Sequence, residues 1–204
     1  MSSWTSTSPA EPPHYATGLD LGQQSDFAAL VVVERHRVSE PASARTVYRF
    51  DVRHLHRWPL KTPYPQVVAD VKELFADRPL AGSTLVLDET GVGRAVTDMV
   101  RAAGIRAALR PYSITSGSGY SGNSVAKKHL VGAIQAPLCD GRLRFAAGLA
   151  LTPVLMKELQ DYRVKVTADR NETFSSWRER DHDDLVMALA LALFVGNVGE
   201  VKVY

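Results

Sequence analysis

Apolar residues recur along this chain with two different periods, and the change of period marks its elements. Leu19-Asp20-Leu21 opens a strand. After a polar turn, Gly22 to Asp26, the apolar run Ala28 to Val33 predicts its hairpin partner, rich in β-branched valine. Thr46 to Val52 alternates through Val47, Tyr48, Phe50 and Val52 and predicts a third strand. Trp58 to Pro65 holds three prolines and reads as loop. From Gln66 the spacing turns helical (Val67, Val68, Val71, Leu74, Phe75) until Pro79 and Gly82. Thr84 to Leu87 predicts a short buried strand and Arg94 to Ala103 a helix stopped by Gly104.

Ile105 to Tyr112 predicts an edge strand, and Ser113 to Ser124, nearly all small or polar, predicts a mobile loop. A helix is expected from Val125 to Ala136, a strand at Leu143-Arg144-Phe145, and a helix from Pro153 to Tyr162. Arg163 to Ala168 and Thr173 to Trp177 predict a hairpin around Arg170-Asn171, before a last helix from His182 to Val195. Opening antiparallel strands followed by alternating strands and helices give an α/β class with a mixed sheet.

Composition narrows the picture. With 204 residues, 45% hydrophobic and 23% charged, the chain suits one globular domain over residues 17–198. The Ser/Thr/Pro-rich start, residues 1–16, predicts a disordered leader without signal-peptide character, and residues 199–204 a short tail. The longest apolar stretch, Leu185 to Val195, is 11 residues, below the ~18 a bilayer span needs, so no membrane role is expected. A single cysteine, Cys139, excludes an internal disulfide and Cys-based zinc sites and fits a cytoplasmic protein. Net charge is only +2, so no nucleic-acid partner is announced by gross electrostatics. Basic clusters do occur at Arg35/Arg37, His54/His56/Arg57, Lys127/Lys128, Arg142/Arg144 and Arg178/Arg180. Singly each is ordinary solvated surface; gathered around an acidic site they would form a phosphate track.

The candidate chemistry lies in three acidic stretches: Gly18-Leu19-Asp20-Leu21-Gly22, Leu85-Val86-Leu87-Asp88-Glu89-Thr90-Gly91, and His182-Asp183-Asp184-Leu185-Val186. The first two put a carboxylate in or at the end of a buried strand; the third opens an apolar helix, where the helix dipole favours anions. Each has an ordinary explanation as turn or helix-start chemistry. Together, carboxylates in apolar company are costly unless paired or holding a cation. Converging, they would make a hard-oxygen site for Mg²⁺ or Mn²⁺. Consecutive helical residues point ~100° apart, so at most one of Asp183 and Asp184 aims at a shared ion and its neighbour reaches a second. Such a set suits phosphodiester hydrolysis by two ions ~3.5–4 Å apart, without a nucleophilic side chain. Gly117 to Ser124 has P-loop glycine spacing, but Asn123 stands where the lysine is required, so ATP binding is not expected.

At these residues the chain resembles the nuclease domain of phage terminase large subunits and, more distantly, RuvC-type resolvases of the RNase H-like superfamily. The resemblance runs from Ala16 to Val195 and includes Asp26-Phe27-Ala28-Ala29 and the stretch Asn123 to Leu130 with Lys127-Lys128. It implies an RNase H-like mixed sheet of about five main strands flanked by helices. It further implies Asp20, Asp88 and one of Asp183/Asp184 as metal ligands, with Asp26 auxiliary and Glu89 open as an alternative to Asp88. The implied activity is Mg²⁺- or Mn²⁺-dependent cleavage of double-stranded DNA during viral genome packaging. Lys127, Lys128, Arg178 and Arg180 would then hold the backbone, and an ATPase motor and a portal protein would be partners. A structure-selective resolvase and a non-catalytic packaging adaptor are the alternatives.

Overall fold

Three long strands open the structure because residues 14–57 carry β-branched and aromatic side chains in near-continuous apolar runs. They are β1 (His14–Asp20), β2 (Ala29–Ser39) and β3 (Thr46–Arg57). The computed structural model describes residues 14–22, 26–39, 46–90, 93–115, 120–168 and 183–197. There follow α1 (Tyr64–Leu74), β4 (Thr84–Asp88), α2 (Gly93–Ala102), β5 (Ala108–Thr115), β6 (Tyr120–Ser121), β7 (Ser124–Ala126), α3 (Lys127–Cys139), β8 (Leu143–Phe145), α4 (Thr152–Ala168) and α5 (Asp184–Asn197).

One sheet unites the strands in the order β6-β7-β5-β4-β1-β2-β3-β8. β1, β2 and β3 form an antiparallel meander, whereas β4 pairs parallel with β1, β5 with β4 and β7 with β5. The class is therefore mixed α/β, with five substantial strands at its centre and β6, β7 and β8 as short additions of two or three residues. Among the described residues no helix is long and apolar enough to cross a membrane.

Alternate side chains of each strand face opposite layers. Leu19, Leu30, Val32, Leu85 and Leu87 pack under α1 and α2, against Val67, Val71, Val96 and Val100. Val31, Val33, Phe50, Val52 and Val86 pack against α3, α4 and α5. α5 is apolar all round, so it must be covered all round; every residue from Asp184 to Phe194 is buried. The close fit comes at Gly18, where a Cβ would lie 1.9 Å from the Ala188 carbonyl oxygen.

Several sequence expectations change. β1 starts at His14, not Leu19. β5 runs Ala108–Thr115 and is no edge strand: β7 pairs with Ser113–Thr115, beyond Pro111, so the proline meets no demand for its missing N–H on that flank. The supposed mobile loop 113–124 therefore carries strand pairing at both ends; its residues 116–119 lie outside the described residues. The strand expected at Arg163 to Ala168 is the continuation of α4. Its valine alternation mimics period two, but extending an existing helix costs little once it is nucleated. The partner strand, Thr173 to Trp177, and the Arg170-Asn171 turn fall outside the described residues.

Candidate metal centre

Register alone builds a polar row across one end of the sheet. The β1–β4 pairing ends at Leu19↔Leu87, so Asp20 and Asp88 stand one step further on, on neighbouring strands ~4.8 Å apart. Asp20 also faces Ala29 across β1–β2, Ala29 faces Arg57 across β2–β3, and Asp88 faces Tyr112 across β4–β5. The row thus reads Tyr112, Asp88, Asp20, Ala29, Arg57. It lies two residues along from Gly18 and so on the same face, the one that α5 covers. The C-terminal ends of parallel strands commonly hold ligands in open α/β sheets.

α5 brings the remaining acids to this edge. The Met187 N–H donates to the Asp183 carbonyl at 2.9 Å, so Asp183 precedes the first turn and Asp184 begins the helix. Removal from water drives the Asp20 pKa well above the ordinary carboxylate range, reinforced by the charges of Asp88, Asp184, Asp183 and Asp26, in that order. Asp184 is buried, and desolvation pushes it up to about 7; Arg57 opposes the shift, while Asp183 and Asp26 add to it. The charges of Asp88, Asp184, Asp183 and Asp26 thus all reach the Asp20 carboxyl.

Glu89, the neighbour of Asp88, has its own partners. Its carboxylate accepts from the Thr97 hydroxyl at 3.3 Å and the Ser113 hydroxyl at 3.2 Å, turned toward α2 and β5. Asp88 is oriented by the Thr90 N–H, which donates to its Oδ1 at 2.8 Å. Lys127 and Lys128 open α3 immediately after β7, at the same end of the sheet and two strands out from β4. Arg178, Arg180 and His182 fall outside the described residues.

Two residues that the sequence reading did not single out complete the surroundings. Glu158, buried on α4, uses Oε2 to accept from the Leu185 and Val186 N–H groups, each at 3.1 Å, which caps the start of α5. Its pKa is pushed up to about 7, chiefly by burial, with the Val186 N–H and Arg57 opposing. Arg57 Nη1 lies 3.4 Å from Glu158 Oε1 and Arg57 Nε 3.9 Å from Asp184 Oδ2. The Arg57 guanidinium stacks over the Phe27 ring at 3.8 Å. Lone Glu158 in an amphipathic helix gives no sequence signal, and Arg57 was legible only as one member of a basic cluster.

Donor chemistry fits a hard divalent cation: the set is all carboxylate oxygen, and Arg57 stands beside it as a counter-charge to Asp184. A second acidic group behaves differently. Glu34, His36 and Asp51 bring ligand atoms within 4.8 Å of one another, the one such group among the described residues. Yet Arg53 contacts Glu34 at 2.5 Å and Asp51 at 3.4 Å, and Arg49 reaches Asp51 at 3.2 Å. That group is a closed ion-pair network, five residues up β2 from Ala29 and so ~17 Å from the acidic row.

No curated protein sequence matches the chain. Among solved structures, the large terminase nuclease from thermophilic phage G20c shares 21% identity and a TM-score of 0.53, covering 88% of this chain and 81% of that one. The large terminase of bacteriophage HK97 gives 17% identity and a TM-score of 0.56; 93% of this chain is covered, but only 41% of the HK97 chain. These likenesses establish the fold, an RNase H-like mixed sheet. Residues 17–195 match the family described as "Terminase RNaseH-like domain", and the chain belongs to that family.

Proposed function

We propose that this chain is a divalent-metal-dependent endonuclease that cuts double-stranded DNA, acting on concatemeric viral DNA during genome packaging. The observation that supports the reading is the register that sets Asp20 beside Asp88 at one sheet edge, where the charges of Asp88, Asp184, Asp183 and Asp26 all act on Asp20. Family membership supports the nucleic-acid substrate, and the G20c relative is itself named a nuclease.

In this reading Asp20, Asp88 and the Asp183/Asp184 pair hold Mg²⁺ or Mn²⁺, and Asp26 contributes from the loop after β1. When bound, the ions supply an activated water and a stabilised leaving oxygen. The chain's own residues do the rest. Thr90 fixes Asp88 through its backbone N–H, Glu158 fixes the start of α5, and Arg57 tempers the mutual repulsion of the acids. Lys127 and Lys128 hold backbone phosphates beside the site, with Arg178 and Arg180 in the same role. A packaging ATPase motor and a portal protein are the partners this role requires.

Supercoiled plasmid incubated with the protein and Mn²⁺ or Mg²⁺ tests the reading. Nicking and linearisation are expected, lost on chelation and in Asp20→Ala and Asp183→Ala. Undiminished cutting by both variants would reject it, as would intact plasmid with the wild type. A junction substrate assayed beside linear duplex separates this activity from that of a resolvase, which would strongly prefer the junction.

A further inference from the structure

The turn that leaves β3 has an unusual residue at its tightest point. Pro59 to Thr62 closes through the Thr62 N–H on the Pro59 carbonyl at 3.2 Å, with the Thr62 hydroxyl on the same oxygen at 2.7 Å. Lys61, third in this turn, has φ +67°, and among the described residues it is the one non-glycine with positive φ. That position normally takes Gly or Asn, because a side chain there costs of order 1 kcal/mol or more.

The turn is also firmly tied. The Trp58 N–H donates to the Ala28 carbonyl at 2.9 Å and the Trp58 indole N–H to Asp70 at 2.7 Å. Pro63 then leads directly into α1, with Pro65 in its first turn. Lys61 is exposed, and no carboxylate pairs with it among the described residues. A strained backbone held rigid to present a solvated cation invites a functional explanation.

Beside the turn lies a cleft of about 540 Å³, lined by Gly22, Asp26, Ala28, Pro59, Lys61, Thr62, Pro63 and Tyr64. Its far wall is closely packed. A Cβ on Gly22 would sit 2.3 Å from the Asp26 carbonyl oxygen, and the Tyr64 hydroxyl donates to the Gly22 carbonyl at 3.1 Å. Asp26 is shared: it lines the cleft, and its charge acts on both Asp20 and Asp184. The cleft therefore lies at the same end of the sheet as the acidic row, shares Asp26 with its electrostatics, and holds a lysine among walls of proline, alanine and a tyrosine ring. Those walls offer little to read base edges; a cation at one end suits a backbone phosphate.

We propose that this cleft seats the DNA strand on the β3 side of the acidic row, with Lys61 holding a phosphate next to the one being cut. The inference rests on the nuclease reading and extends its substrate track. Lys127 and Lys128 flank the row on the other side, after β7. Five strand spacings separate β7 from β3, ~24 Å, or about seven base-pair steps at 3.4 Å each. Cationic residues thus follow the strands on either side of the acids.

Binding of a labelled 20-base-pair duplex in EDTA, titrated across 50–200 mM salt, tests this without requiring cutting. Lys61→Gly removes the charge while relieving the backbone, so its melting temperature should equal or exceed the wild type's. Its affinity should fall about five- to tenfold at 0.1 M salt, and its salt slope should drop by ~0.9, the loss of one phosphate contact. Lys61→Arg should restore both. The proposal is overturned if Lys61→Gly binds with unchanged affinity and slope, or if the wild type does not bind the duplex. A chain that binds through Lys61 yet leaves plasmid intact would instead sink the nuclease reading alone.

Discussion

Gly18 and Ala188 meet backbone to backbone: a methyl group on Gly18 would lie 1.9 Å from the Ala188 carbonyl oxygen and 2.9 Å from the Ala192 nitrogen. Neither obstacle is a side chain that can swing away, so α5 must retreat from β1 if Gly18 gains a side chain. Overpacking of this kind costs about 1–3 kcal/mol or more. Gly18→Ala is expected to lower the melting temperature by several degrees, at ~2–4 °C per kcal/mol for a chain of this size. Because α5 begins at Asp184, directly after Asp183, the variant should also lose cutting out of proportion to the unfolded fraction. A Gly18→Ala protein that melts and cuts like the wild type would contradict the packing.

Crowded carboxylates make stability depend on pH and on metal. The pKa of Asp20 is raised, and those of Asp184 and Glu158 reach about 7, above the ~4 of an unfolded chain. The folded state therefore holds protons that the unfolded state has released, and this contribution, full below pH ~4, is lost as pH rises toward 7. Metal-free Asp20→Asn should be more stable than the wild type at pH 7.5, with the difference shrinking at pH 5. Mg²⁺ should raise the wild-type melting temperature and leave Asp20→Asn nearly unchanged. Melting curves at three pH values, with EDTA or Mg²⁺, read both; a pH-independent difference would mean the acids do not share a site.

Adjacent acids should separate cleanly by function. Asp88 acts on Asp20, while Glu89 is occupied by Thr97 and Ser113. Asp88→Asn is expected to cost ~100-fold or more in cutting, the several kcal/mol of a lost ligand. Glu89→Gln keeps both acceptor geometries in part and should remain within a few-fold of the wild type. Equal losses in initial nicking rate would overturn the distinction.

Glu158 should matter through the helix it caps. Glu158→Ala leaves the Leu185 and Val186 N–H groups without their carboxylate and is expected to destabilise by about 1–2 kcal/mol. Loss of such supporting contacts typically reduces metal affinity or activity 10–100-fold. The Mn²⁺ concentration for half-maximal cutting should rise in Glu158→Ala and be partly rescued in Glu158→Gln. A purely structural role predicts lower stability with an unchanged Mn²⁺ requirement.

Much of this architecture is legible from local pattern. The valines of β2, the alternation of β3 and the helical spacing of Val67, Val68 and Val71 each declare their element within a few residues. The acidic stretches at Asp20, Asp88 and Asp183-Asp184 stand out because they interrupt apolar runs. What stays hidden is set by partners distant in sequence. Whether β5 is an edge depends on β7, and whether Val164 and Val166 lie in a strand or helix depends on α4 already having formed. Glu158 and Lys61 carry no motif at all. One is identified by two backbone donors from another helix, the other by a dihedral angle.

The insertion of β4 beside β1, after two further strands and a helix have been laid down, has a temporal meaning. Asp20 and Asp88 come from segments that touch only through this non-local pairing, and Asp184 arrives still later. Closing such distant loops is slow compared with local structure. A nascent chain emerging from the ribosome would hold each acid separately, as an ordinary solvated residue. Under the proposed function, cutting competence would therefore switch on as a single late event, once all three acidic segments have met.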